Sequence, residues 1–585
     1  MRILGLSAFK HDAAAALLED GRIKAAIEND KLVRSRSHGV PMAAVRSCFD
    51  SEGTGWDGVD LVAVATRPLG GFTRKSLLRA KFAATAPVAA AYYEAKDVGV
   101  LARDLNDLRT LRRFMGGNRR KVVSLDHHLC CAANAFLNSP FDRALVVTMD
   151  EDADGRSTMV AIGEGNRIRA ERTIAFPHSL AWVYSLVSEL IGFLPPQDEH
   201  KTQWLSLEGE PVYKDVFLEM LRSGGTPLPR LDYKFFTRGL AGSLAFSAEF
   251  YRRIDLKEGR AGLTDDKRRA LACSIQQACT EIVSELIMHF RKNIGVGPVC
   301  LAGGLFQNSP MVAALEERFG ANEVFVPPAP ANAGSAVGAA LLVWHQLMQN
   351  PRSEPPSSVF WGPKLNRQEI KEVLDNCKAR YSVLNTENRK VDATAQLLES
   401  GKVVGWYQGA AEFGPRALGN RSVLASPWAP YIKENLNDFI KKREWFRPFA
   451  VAVTEEDCPR FFITSRLCRF MNSLGRVRQD CNPLPEGFCL PGGLIRIQVV
   501  ERRSNPLLWS LLKSAGERFP APLLLNTSFN LQGEPLVLTA RDAVRSYFGS
   551  GLDALVIDNF LLSKTKALPL FATNVATEDP VRLRA

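Results

Sequence analysis

A layout of strand, polar turn and hairpin occurs twice in the sequence, and it constrains the fold more than any other feature. The first copy begins with the apolar segment 2–8, and the alternating segments 13–20 and 22–29 follow, joined by an Asp-Gly turn typical of β-hairpins. The second copy begins with the strand-like segment 144–150, which ends in Asp150, and another hairpin follows. The repetition predicts an internally duplicated α/β architecture.

Two further segments define the predicted domain organisation. A basic, helical insertion at about residues 66–121 lies between the two copies, and we interpret it as a solvated face or lid, with RNA or membrane binding as the alternative. It contains no motif of stacking aromatic residues that would favour RNA. Residues 267–292 have the amphipathic period of a long helix. The Pro- and Ser-rich segment 350–358 is typical of a linker, so we predict one domain at 1–349 and a second at 359–585.

Composition limits the class to which the protein can belong, but it does not identify the substrate. The net charge of +11 fits nucleotides and phosphates, and it equally fits nucleic acid or a membrane surface. No apolar run approaches the roughly 20 residues of a membrane helix, and the start has no signal-peptide pattern, so we expect a cytoplasmic protein. The eleven Cys residues form no CxxC pair, which is typical of reduced thiols.

Histidine is confined to the first part of the chain. All eight His residues lie at or before His345, and residues 346–585 contain none. Acid–base or metal chemistry based on His therefore belongs to the first domain. The second domain must work with Arg, Lys, amide, hydroxyl and carboxylate groups.

The second domain contains three dense polar stretches, at 412–422, 441–453 and 522–535. Their cationic side chains lie among Gly, Pro and apolar residues rather than on polar helices, which favours a binding site over surface charge. Guanidinium groups and backbone N–H groups match phosphate oxygens. We therefore predict a phosphate site that draws on Arg416, Arg421, Lys441, Arg443 and Arg447.

The stretch DHHLCCAANAF, at 126–136, carries a metal-type spacing with an unusual partner. On a helix His127 and Cys131 share a face, and this spacing holds metals when the second residue is also His. Three interpretations stay open: a metal site with an exchanged ligand, a lost site, or ordinary core.

Six motifs in order give the chain a resemblance to the O-carbamoyltransferases, which include the nodulation-factor, cephamycin and tobramycin enzymes. The resemblance covers nearly the whole chain. The motifs are HDAAAAL (11–17), FPHSLAWVY (176–184), LAGGLFQN (301–308), EFGPRALGNRS (412–422), KKRE…RPFA (441–450) and LLNTSFN…GEP (524–535).

The resemblance implies a fold and a reaction. The expected fold is a duplicated actin-like (ASKHA) domain of the threonylcarbamoyl-transferase type, followed by a YrdC-like α/β domain. In the C-terminal domain carbamoyl phosphate and ATP would give a carbamoyl adenylate. In the N-terminal domain the carbamoyl group would pass to a hydroxyl of a small metabolite.

The resemblance also implies roles for individual residues. Arg416 and Lys441 are expected to act in catalysis and His11 to be the general base for the acceptor hydroxyl, a task that suits a side chain titrating near neutral pH. Gly303, Gly304 and Asn308 are expected to contact a nucleotide in the N-terminal domain. The expected site for ATP and carbamoyl phosphate consists of Arg416, Lys441, Arg447, Arg496, Asn526, Thr527 and Ser528.

The metal positions depart from the family pattern of two His and two Asp. The matching residues are His127, Cys131, Asp150 and Asn332, so two of the four ligands differ. The count of negative ligands is kept if Cys131 is a thiolate, and the softer set favours Zn or Fe over Mg, while Mg could accompany ATP. The stretch DEHKTQWLSLEG (198–209) also departs from the pattern and keeps Glu199 and Lys201, and LPGGLIRIQ (490–498) keeps only its Arg496–Gln498 end.

Two alternatives to an O-carbamoyltransferase stay open. The altered ligands fit a catalytically degraded nucleotide-binding homologue that acts as an accessory or scaffold protein, and transfer to nitrogen instead of oxygen needs a weaker base. We expect no nucleic-acid partner, because the fused C-terminal domain is typical of enzymes acting on free metabolites, and we expect no association with a membrane. The acceptor and the oligomeric state are not encoded in any recognisable motif.

Overall fold

The protein has a mixed α/β fold, as predicted, with two five-stranded sheets in its first part and an eight-stranded sheet in its last part. The structure is a computed structural model. It describes residues 1–8, 12–36, 39–73, 76, 87–116, 121–222, 226–238, 244–257, 259–260, 262–481, 485 and 487–564.

The first sheet has the strand order β3-β2-β1-β4-β5. Its strands are β1 (Arg2–Ser7), β2 (Ala14–Glu19), β3 (Arg22–Glu28), β4 (Leu61–Val64) and β5 (Val122–Ser124). The first three strands form an antiparallel meander, and β4 and β5 run parallel to β1. Asp20 and Gly21 both have positive φ, which is the backbone of a tight hairpin turn, so the predicted Asp-Gly hairpin is confirmed.

The second sheet repeats this arrangement. The next strands are β6 (Arg143–Ala153), β7 (Arg156–Glu164), β8 (Arg167–Ala175), β9 (Phe236–Arg238), β10 (Leu244–Phe246), β11 (Val299–Ala302) and β12 (Val324–Phe325). Strands β6 to β8 form the meander and β11 and β12 run parallel to β6, while β9 and β10 pair separately. The order β12-β11-β6-β7-β8 is that of the first sheet, which confirms the predicted duplication.

Helices cover and connect the two sheets. They include α1 (Asn29–Val33), α2 (Met42–Ser51), α3 (Pro87–Phe114), α4 (His127–Leu137), α5 (Leu180–Leu190), α6 (Glu199–Leu205), α7 (Lys214–Leu221), α8 (Ala248–Arg253), α9 (Asp265–Ile294), α10 (Ser309–Phe319) and α11 (Asn332–Leu341). The long helix α9 begins at the N-cap Thr264 and ends at Gly295, whose left-handed φ of 68° stops it. The predicted insertion at 66–121 contains α3, and part of the insertion lies outside the described residues.

Helices α4 and α11 pack with almost no space between their backbones. A Cβ atom on Gly338 would lie 1.8 Å from the carbonyl oxygen of Cys130, and one on Gly5 would lie 2.0 Å from that of Ala336. Small residues therefore let α11 approach both α4 and strand β1. This contact fixes α4, which carries His127 and Cys131, against the two sheets.

The last part of the chain contains the eight-stranded sheet, in the order β13-β23-β22-β14-β15-β21-β16-β20, and a small sheet of β17, β18 and β19. Its strands are β13 (Ser382–Val383), β14 (Val404–Tyr407), β15 (Arg421–Ala425), β16 (Ala450–Thr454), β17 (Phe462–Ile463), β18 (Gly475–Val477), β19 (Leu494–Ile495), β20 (Ile497–Val500), β21 (Leu524–Ser528), β22 (Ala554–Ile557) and β23 (Phe560–Ser563). Its helices include α12 (Arg367–Asn376), α13 (Glu387–Glu399), α14 (Ile432–Glu434), α15 (Cys458–Phe461), α16 (Pro506–Gly516) and α17 (Ala540–Phe548), and a π-helical turn spans Asn435–Lys441.

The segment 350–358, described throughout, has no helix or strand, but it is held against the first part of the chain. The guanidinium of Arg352 donates to the carbonyl oxygens of Ser139 at 2.6 Å and Phe136 at 2.9 Å, at the end of α4. It also lies 4.7 Å from the centre of the Phe136 ring. The segment is thus a docked connection rather than a free tether.

Candidate functional site

The first candidate site lies where α4 begins and strand β6 ends. Asp126 caps α4 by accepting a hydrogen bond from the Leu129 N–H, and Asp154 accepts one from the His127 N–H at 3.0 Å. These contacts fix the first turn of the helix, so that His127 and Cys131 project from one face. Asp150 approaches the same face from β6.

Three ligand atoms converge at this point. The Nε2 atom of His127 lies 3.3 Å from the Sγ of Cys131 and 3.4 Å from an Oδ of Asp150, and the ligand atoms all lie within 4.8 Å of one another. All three residues are buried. The other ring nitrogen of His127 lies 3.3 Å from the carbonyl oxygen of Ala65, a partner that leaves Nε2 free to act as a ligand.

The surroundings of the Asp150 carboxylate favour its negatively charged form. One carboxylate oxygen accepts the Gly304 N–H at 2.6 Å, and the other is buried and faces the Nε2 atom of His127 at 3.4 Å. Burial favours its protonated form, but the hydrogen bond and charge of His127 outweigh burial and lower the pKa of Asp150. An imidazole, a thiol and a carboxylate that converge in this way are ligand types that could hold a metal ion.

The neighbours His128 and Cys130 serve the structure instead. His128 contacts the Thr148 hydroxyl at 2.7 Å and the Arg156 carbonyl at 3.3 Å, and burial lowers its pKa to about 4. Burial raises the pKa of the Cys130 thiol well above its usual value. Neither belongs to the converging set of His, Cys, Asp and Glu atoms found among the described residues.

The remaining residues predicted for the N-terminal site have different positions. Asn332 is buried as the first residue of α11, and its place as a fourth ligand stays a prediction. His11 lies outside the described residues, so its role as the base also stays a prediction.

The predicted nucleotide residues are used within the protein. Gly303 has a φ of 99° and a Cβ there would lie 2.1 Å from the Met149 carbonyl oxygen, while the Gly304 N–H holds Asp150. Asn308 caps α10 and exchanges two hydrogen bonds with Gln276. Their predicted contact with a nucleotide stays a prediction.

The second candidate site is formed by cations in the last part of the chain. Glu412 shapes one wall, because one of its carboxylate oxygens accepts the backbone N–H groups of Leu418, Asn420 and Arg421 at 2.8–3.0 Å. The loop folded in this way presents Arg416. The other members come from the last residue of the π-helical turn, from the segment that follows it and from the residue before β20. We call Arg416, Lys441, Arg443, Arg447 and Arg496 the cation cluster.

Lys441 is buried, the four Arg residues of the cation cluster are partly buried, and neighbouring members repel one another. Burial and the charges of Arg443 and Arg447 hold the pKa of Lys441 well below its usual value. Burial and the charge of Arg447 lower the pKa of Arg416 to about 10. Burial and the neighbouring Arg residues likewise hold the pKa of Arg496 far below normal. Cations kept this close indicate a site for an anion.

Several donors in the cluster have no partner within the part of the chain that the structure describes. The Nε atoms of Arg416, Arg447 and Arg496 are buried and donate no hydrogen bond to a described residue. Lys441 Nζ donates to the carbonyl oxygens of Ser528 at 2.8 Å and Asn530 at 3.1 Å. Lys441 is therefore anchored by strand β21, whereas the guanidinium groups keep donors for a ligand.

Arg421 does not belong to this cluster, and the sequence prediction that included it was wrong. Its side chain is fully buried, 3.8 Å over the Tyr407 ring, and donates to the carbonyl oxygens of Gln408 at 2.5 Å and Asn420 at 3.0 Å. Backbone carbonyl groups use the terminal nitrogens of this fully buried side chain, so Arg421 shapes the loop rather than binding phosphate.

The other predicted residues, Asn526, Thr527 and Ser528, lie on strand β21. Asn526 donates to Gln498 at 2.6 Å, and its side-chain oxygen is buried without a partner in the described ranges. The Ser528 hydroxyl donates to the Asn530 side chain at 2.8 Å. This strand thus supplies polar atoms beside the anchored Lys441.

The first part of the chain contributes residues to this second site. The sequence patterns did not predict this contribution. Lys201 of α6 pairs with Glu444 at 2.7 Å, and the Arg496 guanidinium lies 5.4 Å from the Trp204 ring centre. Arg416 donates to the Gln307 carbonyl at 3.1 Å, on the short turn that begins at Gly304. That turn connects the cation cluster to Asp150. The signal in the sequence was the retained Glu199 and Lys201 within an otherwise altered motif.

Comparison with known proteins assigns the chain to a family. The model of the carbamoyltransferase N-terminus matches residues 2–341, and that of the carbamoyltransferase C-terminus matches residues 395–564. The first match alone covers more than half of the chain. The chain therefore belongs to the carbamoyltransferase family and is a transferase enzyme of that type, which confirms the resemblance.

Relatives match along most of the chain. An uncharacterized protein of Synechocystis sp. is 32% identical, over 96% of this chain and 97% of its own length. The nodulation protein NolNO of Sinorhizobium fredii is 31% identical, over 96% of this chain and 80% of its own. A solved activator of the 2-hydroxyisocaproyl-CoA dehydratase from Clostridium difficile covers 60% of this chain at a TM-score of 0.31 and 14% identity, too weak a likeness to support an argument. Within the described residues, no helix is long and apolar enough to cross a membrane.

Proposed function

We propose that this carbamoyltransferase uses ATP and carbamoyl phosphate to carbamoylate a hydroxyl group of a small metabolite through a carbamoyl adenylate. The cation cluster would form the adenylate in a YrdC-like C-terminal domain, and the site at His127 would lie where the carbamoyl group is transferred. The observation that carries the proposal is the set of buried guanidinium donors without partners among the described residues.

The charges of the cluster match two polyanionic substrates. The cluster contains four guanidinium groups and one ammonium group, and besides burial the charges of neighbouring cations lower the pKa values of Arg416, Lys441, Arg443 and Arg496. Among the ion pairs of the described residues, Glu444 is the carboxylate that pairs with the cluster, 3.6 Å from Arg447. Phosphate oxygens would relieve this repulsion and satisfy the guanidinium forks.

The proposed reaction balances in three steps. Hydrolysis of carbamoyl phosphate leaves carbamate and phosphate. A carbamate oxygen then attacks the α-phosphorus of ATP, and pyrophosphate leaves as the carbamoyl adenylate forms. The acceptor hydroxyl attacks the carbamoyl carbon, its proton passes to a base for which His11 is the predicted residue, and AMP leaves. The cluster would neutralise charge that develops on the phosphates.

A metal at the first site is part of the proposal. His127 and Cys131 would hold it with Asp150, and Asn332 is the predicted fourth position. Zn or Fe fits this donor set better than Mg. When bound, the metal would supply Lewis acidity toward a carbonyl or phosphate oxygen.

Pyrophosphate release tests the adenylation step without knowledge of the acceptor. Purified protein should release pyrophosphate only when ATP and carbamoyl phosphate are both present. Arg496→Ala should lower the rate about 100- to 1,000-fold, and Arg503→Ala, at an exposed position, should leave it unchanged. ATP binding without pyrophosphate release, with Zn or Fe added, would instead identify a degraded nucleotide-binding homologue.

The acceptor step needs a second measurement. A panel of hydroxylated and amino metabolites should give a product heavier by one carbamoyl group, and NMR of that product locates the new bond. A carbon–oxygen bond is expected, whereas a new bond to nitrogen would show N-carbamoylation.

A further inference from the structure

One side of helix α6, which belongs to the first part of the chain, lies against the cation cluster. His200 and Trp204 are four residues apart and therefore share a face of the helix. Trp204 is buried under the Arg496 guanidinium, and Lys201 next to His200 pairs with Glu444. His200 is thus held at the border of the cluster by contacts on both sides of it.

The ring of His200 has a hydrogen-bond acceptor with no partner among the described residues, close to the hydrogen-bond donors of the cation cluster. Its Nδ1 atom lies 2.9 Å from the Gln197 carbonyl oxygen, and because a carbonyl can only accept, Nδ1 carries the ring hydrogen. The Nε2 atom then carries a lone pair, and it is buried without a hydrogen-bond partner among the residues that the structure describes. Burial and the charge of Arg447 lower the pKa of His200 to about 3, so the ring is neutral.

A phosphate alone would not satisfy this atom. Phosphate oxygens accept hydrogen bonds from the Arg residues, but they have no hydrogen to donate to Nε2 when ionised. Leaving a buried acceptor unpaired costs free energy. A complementary ligand therefore combines an anionic group with an N–H donor close to it.

Carbamoyl phosphate has this combination. Its amino group is bonded to the carbonyl carbon, and a single oxygen joins that carbon to phosphorus. An acceptor at the border of a phosphate-binding cluster is within reach of such an amino group. The amino group of adenine is separated from the phosphates of ATP by the ribose and the ring system.

We propose that His200 Nε2 accepts a hydrogen bond from the amino group of carbamoyl phosphate and thereby selects the carbamoyl group over other acyl groups. This inference rests on the proposed function, since it assigns a specificity residue to the same site.

Acetyl phosphate is the discriminating probe, because a methyl group replaces the amino group. Isothermal titration calorimetry should show that the wild-type protein binds carbamoyl phosphate at least about tenfold more tightly than acetyl phosphate. His200→Phe, which keeps a ring but no acceptor, should abolish this preference by weakening carbamoyl phosphate alone. His200→Gln, whose amide oxygen can accept, should retain part of it. His289→Phe, at an exposed histidine on α9, is the matched control and should behave as wild type.

The possible results separate the inference from the proposed function. If the wild type prefers carbamoyl phosphate and both His200→Phe and His200→Leu keep that preference, the inference is wrong and the function stands. Equal weakening of carbamoyl, acetyl and inorganic phosphate in the His200 variants would also overturn it, because it would show a structural role. If the wild type binds inorganic phosphate but shows no affinity for carbamoyl phosphate, both proposals fail.

Discussion

At the scale of single residues, neighbouring side chains of one type have different roles because their surroundings differ. Cys130 and Cys131 are adjacent on α4 and both are buried. The Cys131 thiol lies 3.3 Å from His127 Nε2 and beside the Asp150 carboxylate, whereas Cys130 lies outside the converging set found in the described ranges. The direction of the side chain, not its burial, separates a candidate ligand from core.

Cys131→Ala should remove the metal and Cys130→Ala should not. Losing one of three converging ligands should lower metal affinity by at least about tenfold, because affinity depends on the number and geometry of ligands. Elemental analysis of protein purified without chelator, expected to show one equivalent of Zn or Fe in the wild type, measures this. Equal metal content in both variants would mean that the thiol is not a ligand.

A double substitution tests whether the negative charge of a Cys131 thiolate replaces the charge that is absent at Asn332. Cys131→His alone reduces the number of negative ligands, and adding Asn332→Asp restores it. We expect the single variant to hold less metal than the wild type and the double variant to recover it. A double variant that stays empty would show that Asn332 does not reach the site.

Lys441 should make the free energy of unfolding of the ligand-free protein depend on pH in the alkaline range. Its folded-state pKa is held below the unfolded value of about 10.4, so the unfolded chain binds more protons between the two values. The free energy of unfolding should therefore rise as pH rises through that window. Urea titrations from pH 7 to 10 should show a steeper rise for wild type than for Lys441→Met, and equal slopes would contradict this assignment.

At the scale of elements, contact between the equivalent helices of the two repeats positions the first site. Helix α4 carries two of the converging ligands, and α11 packs on it through Gly334 and Gly338. A Cβ on Gly334 would lie 1.8 Å from the Ala329 carbonyl oxygen. Backbone atoms cannot move away from such contacts as a flexible side chain can, so these glycines are needed for packing.

Gly338→Ala should therefore destabilise the protein although alanine favours helix. We expect a loss of about 1–3 kcal/mol in the free energy of unfolding, together with weaker metal binding, because α4 would have to shift. Gly99→Ala is the matched control: Gly99 is exposed on α3, away from other described atoms, and the change should stabilise by about 0.5–1 kcal/mol. Urea denaturation compares the two, and the same sign of effect in both would refute the packing argument.

At the scale of the whole molecule, buried polar contacts join the first and last parts of the chain. Lys31 Nζ lies 2.9 Å from a carboxylate oxygen of Glu28 and donates to the carbonyl oxygens of Glu412 and Gly414, each at 2.9 Å. Glu28 also accepts the Gly414 N–H at 2.7 Å. The loop that presents Arg416 is therefore held in place by residues from the other end of the chain.

Lys31→Met should cost about 3–5 kcal/mol, because it leaves the buried Glu28 without its cationic partner. Lys24→Met removes an exposed lysine 3.4 Å from the partly buried Glu19, and it should cost no more than about 1 kcal/mol. Denaturation in urea gives both values. Similar losses for the two variants would show that the buried pair does not hold the parts together.

Local sequence pattern determines much of the fold. Alternating segments and an Asp-Gly turn predict β1, β2 and β3, and the repeated layout predicts β6, β7 and β8, because strand period and turn chemistry are encoded over a few residues. The amphipathic period of residues 267–292 predicts α9, which ends within two residues of that range. The pair of His127 and Cys131 is recognisable because helical spacing alone brings the two side chains together.

Contacts between distant residues are decided only by the tertiary structure. Nothing local distinguishes Arg421, whose fully buried guanidinium donates to the carbonyl oxygens of its own loop, from Arg416, which is only partly buried and belongs to the cation cluster. His200 precedes the cation cluster by more than 200 residues, and its Nε2 is buried beside the cluster because the two parts of the chain pack together. The sequence alone thus determined the repeated elements and the chemical types of the site residues. Tertiary packing decided which cations are free to bind an anion, because partners and burial depend on residues far apart in the chain.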